Sequence, residues 1–225
     1  MDPWHCSATE ECLNQLHSVE AMILVKQVTF SYTEAFDGFR LGPVDIAMQP
    51  GRTYGWKGNN GSGKSTLASI LAGQRAVASG CIEGLPTRVL YFQQNIAANI
   101  FPDLTVGEHL RLCRNAERRN EILLAFPSLA QYSGKYPDVL SGGELQRLAF
   151  SLSLIRDFDL YIFDEVTNHL DQETVKLVGD TMRSLVKRQP DRTVVFISHD
   201  HRFLADYADD ILTFDEGKVS RESPA

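Results

Sequence analysis

Cysteine is scarce: four residues, Cys6, Cys12, Cys81 and Cys113, are scattered through 225, and no C-x-x-C pair occurs. That excludes a zinc ribbon or a disulfide framework and fits a reducing compartment. No apolar run approaches the ~20 residues needed to span a bilayer. The stretch from Met1 to Glu11 is acidic and has no apolar core, so it does not read as a secretory leader. Positive charge is also short. Lys and Arg number 22 against 29 Asp and Glu, a formal net charge of -7, which disfavours a general nucleic-acid role. No internal repeat, long linker or low-complexity tract is visible. These absences lead to the expectation of a cytoplasmic protein, able to sit peripherally on a membrane through something it docks against. Its 43% hydrophobic content is ordinary, and its length suits one sizeable domain or one domain with an inserted subdomain.

What is present is one stretch, Gly58-Asn59-Asn60-Gly61-Ser62-Gly63-Lys64-Ser65-Thr66, with the G-x-x-x-x-G-K-[ST] spacing of a phosphate-binding loop. Glycines permit positive φ and a close backbone approach to a ligand. Successive N–H groups then form an anion nest at a helix N-terminus. Lys64 suits β- and γ-phosphate oxygens, and the Ser65 hydroxyl suits Mg²⁺. The context agrees. Arg52–Trp56 reads as a strand, and Leu67, Ile70 and Leu71 recur at helical spacing before Gly73. The competing reading is a flexible Gly/Asn/Ser surface loop.

Regular patterning begins near Met22, a candidate natural start. Ile23–Tyr32 reads as a strand, Thr33–Gly42 as a loop, and Val44–Met48 as a strand. Tyr32 alone suits packing at a strand end. Arg88–Phe92 reads as a buried strand with Gln93 and Gln94 at its end, followed by an irregular stretch, Asn95–Leu104. One helical stretch is expected from Thr105 towards Arg119 and a second over Asn120–Phe126. Arg111, Arg114, Arg118 and Arg119 fit either a binding patch or a solvated helix face. Ser141-Gly142-Gly143-Glu144 opens another helix. A capping box explains Ser141, and the two glycines leave backbone N–H groups for an anion. Leu160–Phe163 is a buried strand ending in Asp164-Glu165. Two carboxylates there suit either a salt-bridged pair or metal and water chemistry. Thr193–Ile197 is another buried strand. It ends in Ser198-His199-Asp200, which puts His199 on the same sheet edge, and a hairpin over Asp215–Gly217 closes the chain.

Five features therefore stand in one order: the Gly58–Thr66 loop, Gln93/Gln94, Leu140-Ser-Gly-Gly-Glu-Leu-Gln-Arg147, Phe163-Asp164-Glu165 and Ser198-His199-Asp200. Together they resemble the ATP-binding cassette ATPases over about residues 22–219. The L-S-G-G-x-x-Q-R stretch discriminates, since other phosphate-loop ATPases lack it. The resemblance implies an α/β fold: a P-loop parallel-sheet core, an N-terminal antiparallel β subdomain and an inserted α-helical subdomain at about 95–155, between tails at 1–21 and 220–225. It implies that Tyr32 stacks on adenine and that Gly58–Thr66 bind ATP. Ser65, Gln94 and Asp164 hold Mg²⁺, with Gln93 as the alternative glutamine. Glu165 is the catalytic glutamate, and His199 steadies the γ-phosphate with Lys64. Asp171 is the implied D-loop aspartate, and Ser141, Gly142 and Gly143 face the nucleotide of a second cassette, identical or different. Integral membrane permease subunits are the implied further partners. Two departures stand out. Val166 replaces the usual proline, and Leu152–Ile155 lacks the usual alanine and arginine. A transporter subunit is the expected function. The Thr167–Asp171 stretch also suits a ribosome- or DNA-associated ATPase.

Overall fold

The computed structural model describes residues 22–32, 39–93, 95–168 and 170–222. The expected tail at 1–21, Gln94 and His169 lie outside the described residues. Nine strands are described: β1 (Ile23–Ser31), β2 (Arg40–Met48), β3 (Thr53–Gly58), β4 (Ser79–Glu83), β5 (Val89–Phe92), β6 (Leu160–Asp164), β7 (Thr193–Ile197), β8 (Asp210–Asp215) and β9 (Lys218–Glu222). The described helices are α1 (Lys64–Leu71), α2 (Val106–Arg111), α3 (Ala116–Ala125), α4 (Ser128–Gln131), α5 (Gly142–Ser153), α6 (Gln172–Arg188) and α7 (His201–Tyr207).

Two sheets result. One is antiparallel, in the order β2-β1-β4; the other runs β5-β6-β7-β3-β8-β9. In the second, β5, β6, β7, β3 and β8 are parallel and only β9 returns antiparallel. Parallel strands covered on both faces read as continuous apolar runs rather than alternating ones, and Leu160–Phe163 shows why. Leu160 and Ile162 join the core shared with α1 and the antiparallel sheet. Tyr161 and Phe163 join the core shared with α5, α6 and α7. Burying each such side chain contributes about 1.5–3 kcal/mol. The helices from α2 to α5 fall between β5 and β6, as an insertion into the parallel sheet. The expected α/β architecture is the one observed.

Several local expectations need correction. The helical stretch expected from Thr105 towards Arg119 breaks after Arg111 and restarts at Ala116, where the Asn115 side chain accepts from the Arg118 N–H as an N-cap. The four arginines therefore do not share one solvated face. Arg118 forms a bidentate pair with Asp157, at 2.7 and 3.0 Å, and ties α3 to the approach to β6. Ser79–Glu83, unread in the sequence, is a strand because it pairs with β1. Arg40–Gly42, expected as loop, already belong to β2. Ile96–Asn99 forms a 3₁₀ turn within the stretch expected to be irregular. The final strand continues to Glu222, past the expected domain edge at 219.

Candidate active site

The glycine loop connects β3 to α1, and two of its residues hold positive-φ conformations that a side chain would strain. Gly58 has φ 144°, and a Cβ there would lie 2.1 Å from the Phe214 carbonyl oxygen. Gly63 has φ 108°, and a Cβ would lie 2.6 Å from Leu41. Gly63 is also the N-cap of α1 and offers no side-chain acceptor, and the first turn has no acidic residue. The orphan N–H groups and the positive end of the helix dipole are thus left facing the cleft, an arrangement that favours phosphate.

That cleft has a volume of about 420 Å³. It is walled by Asn60–Thr66 of the loop, by Tyr32, and by Asp164, Glu165 and His199 from the ends of β6 and β7. Gly58 and Asn59 act from behind: their carbonyls accept from Lys64 Nζ at 2.7 and 2.9 Å. The Lys64 side chain is thereby folded along the loop and is only 6% exposed. Burial pushes its ammonium below the ordinary lysine range, against the opposing pull of Glu165 and Asp164.

The two carboxylates differ in environment. Asp164, 2% exposed, accepts from the Tyr91 hydroxyl at 3.0 Å. Glu165, 7% exposed, lies just beyond the strand with φ 54°, and its N–H donates to the Ile197 carbonyl. Its Oε1 stands 3.3 Å from His199 Nε2 but makes no hydrogen bond. Burial raises the Glu165 carboxyl above its usual range; His199 and Lys64 oppose this and Asp164 adds to it. A carboxylate shifted upward with a free buried oxygen is equipped to accept a proton from water. His199 also meets Asn60 Oδ1 at 3.0 Å, so the β7 end and the glycine loop are already joined.

At the other end of the cleft, the Tyr32 hydroxyl lies 3.2 Å from Thr66 Oγ1, and Arg75 lies over its ring. Phe39 lines the same space, 6.2 Å from Tyr32 between ring centroids. Phe39 falls in the stretch expected to be loop; an aromatic immediately before a strand is the only sequence signal for it.

Not every expected residue converges here. Ser141 and Gly142 are exposed, and they and Gly143 lie outside the cleft. Their helix, α5, is closed by its own capping box: the Ser141 N–H donates to Glu144 Oε2 at 2.7 Å, and the Glu144 N–H donates to Ser141 Oγ. Asp171 caps α6 and pairs with Arg147 of α5. Val166 is buried, and its carbonyl accepts from Gln146 Nε2 at 2.6 Å. Gln93, the alternative glutamine, is tied by its backbone to the Asn99 side chain.

Among the described residues, no group of three or more His, Cys, Asp or Glu side chains could hold a metal ion by itself. A hydroxyl and one buried carboxylate instead match a hard cation that takes its remaining oxygens from phosphate and water, as Mg²⁺ does.

A parallel sheet with a glycine loop opening a helix, and carboxylates at the neighbouring strand end, defines a phosphate-loop nucleoside triphosphatase. The chain belongs to the ABC transporter family, whose profile matches residues 41–168. An aliphatic sulfonates import ATP-binding protein of Frankia alni is 32% identical over 188 residues, 82% of this chain and 68% of its own. A nickel import ATP-binding protein of Rhodobacter capsulatus is 31% identical, covering 82% and 83%. A solved dimeric ATP-binding cassette bound to ADP and Pi superposes with a TM-score of 0.75 at 23% identity, covering 90% of this chain and 99% of that one.

Proposed function

We propose that this chain is the ATP-hydrolysing subunit of a transporter, and that it works as one half of a cassette dimer against separate membrane subunits. The observation that carries the reading is the convergence of Lys64, Ser65, Asp164, Glu165 and His199 on one cleft at an uncapped helix N-terminus. Gly58 to Thr66 cradle the phosphates of ATP, with Lys64 released from its carbonyls towards the β- and γ-oxygens. Tyr32, and Phe39 beside it, face the adenine. Ser65 and Asp164, with Gln94, hold Mg²⁺, which when bound neutralises charge on the β- and γ-phosphate oxygens. Glu165 takes the proton of the attacking water, and His199 steadies both Glu165 and the γ-phosphate.

Ser141–Gly143 lie at the N-terminus of another helix, outside the cleft, and one phosphate meets both helix ends only if two copies or two related chains sandwich it. This supports a head-to-tail dimer with two composite sites. The domain core is taken as 22–222, with helices from about 95 to 155 as its inserted part.

A separate groove of about 830 Å³ lies between β5 and the inserted helices, with Leu90, Phe92, Phe101, Leu112, Leu152 and Phe158 among its walls. It is the surface proposed for a membrane subunit, because it borders β5 (Val89–Phe92), the strand just before the expected glutamine at 93 or 94. No described helix is long and apolar enough to cross a membrane, in keeping with a peripheral position on the cytoplasmic face. The import roles in the relatives' names support transport over a nucleic-acid role.

The test is Glu165→Gln in the full chain. ATP affinity is expected to persist while turnover falls by about 100-fold or more, the scale of a lost general base. Retention of most of the turnover would remove Glu165 from the chemistry.

A further inference from the structure

Tyr91 lies on β5, next to β6, in register with Ile162. Side chains two apart on a strand share a face, about 6.6 Å along it, so Ile162 and Asp164 point to the same side as Tyr91. The tyrosine ring follows that face, in the core shared with α1, and its hydroxyl arrives at the strand end, donating to Asp164 Oδ2 at 3.0 Å. The hydroxyl therefore holds the one described carboxylate proposed to bind Mg²⁺. Tyr91 also borders the 830 Å³ groove, so it touches both that groove and the carboxylate of the cleft.

We infer that Tyr91 is a positioning residue for the metal site: its hydroxyl aims Asp164 before nucleotide arrives. A buried carboxylate oxygen without a partner is costly and turns to find one. With Tyr91 in place, Asp164 Oδ2 is held and the carboxylate does not turn freely. Partners of this kind, one step removed from a metal, commonly change metal affinity by about 10–100-fold when lost. The placement also links metal binding to the groove, since a shift of β5 on docking would move the hydroxyl relative to Asp164.

This inference rests on the reading of Ser65 and Asp164 as the metal-holding pair, and the experiment separates the two. ATP binding to the full chain is titrated in Mg²⁺ and in EDTA, and the half-saturating Mg²⁺ concentration is measured at fixed ATP. In Tyr91→Phe, the half-saturating Mg²⁺ concentration is expected to rise about 10-fold, while affinity in EDTA stays within about twofold of the wild type. p-Aminophenylalanine at position 91 restores a donor at the same place and is expected to return the Mg²⁺ requirement towards the wild-type value. It also serves where loss of the hydroxyl impairs folding. An unchanged Mg²⁺ requirement in Tyr91→Phe, or equal losses with and without Mg²⁺, would overturn the positioning role. Wild-type binding that ignores Mg²⁺ altogether would overturn the metal reading beneath it.

Discussion

At the residue scale, the adjacent carboxylates show how neighbours in sequence acquire different chemistry. Asp164 ends β6 and is held by Tyr91; Glu165 has left the strand with positive φ and keeps one oxygen unbonded. Burial lifts the Glu165 carboxyl, so the folded state binds its proton more tightly than the unfolded chain does. Stability from this group is therefore present at low pH and lost as pH rises past the ordinary glutamate value into the elevated range. Glu165→Gln, which removes the charge, is expected to raise Tm of the nucleotide-free protein near neutral pH. The gain should vanish as pH falls below about 4.3, the ordinary glutamate value. Thermal melts of both proteins across pH check this, and a constant difference at every pH contradicts it. The pair was visible as a motif, and the family resemblance assigned its two roles. The environments that separate the two carboxylates were not visible, because they depend on Tyr91, His199 and Lys64, which come from other parts of the chain.

At the element scale, the two helix N-termini offered for phosphate are treated differently. α1 begins at a glycine with no side-chain acceptor, whereas α5 is closed by Ser141 and Glu144. The Glu144 carboxyl is held down at about 2, chiefly by hydrogen bonds from Tyr132 and Ser141, so it stays charged at that helix end. The α5 terminus thus meets an incoming phosphate with a carboxylate already seated, unlike α1. The break between α2 and α3 was hidden in the sequence, since Leu112–Asn115 contains neither glycine nor proline. Asn115 makes the break by capping α3, while Cys113 is fully buried and donates to the carbonyls of Asn115 and Ile155. Asn115→Ala is expected to destabilise by about 1 kcal/mol, or about 2–4 °C in Tm. An unchanged melting curve would mean that tertiary packing alone sets the break.

At the scale of the whole molecule, the cleft and the Ser141–Gly143 loop remain apart within one chain. Full-length Glu165→Gln is therefore expected to run as a monomer in ADP and as a dimer in Mg²⁺-ATP by light scattering after size exclusion. A monomer under both conditions would point to a different cassette as the partner, or to a need for the membrane subunits. By itself the sequence determined the parallel core, the glycine loop and the strand ends that carry Asp164, Glu165 and His199. These are local signals: a buried parallel strand is a short apolar run, and a phosphate loop needs particular residue types at fixed spacing. Only the tertiary structure decided that Ser79–Glu83 is a strand, that Arg118 faces Asp157, that Phe39 enters the cleft and that Tyr91 reaches Asp164. Each of these depends on a partner distant in the chain, and pairing across such distances leaves no periodic mark in the residues on either side.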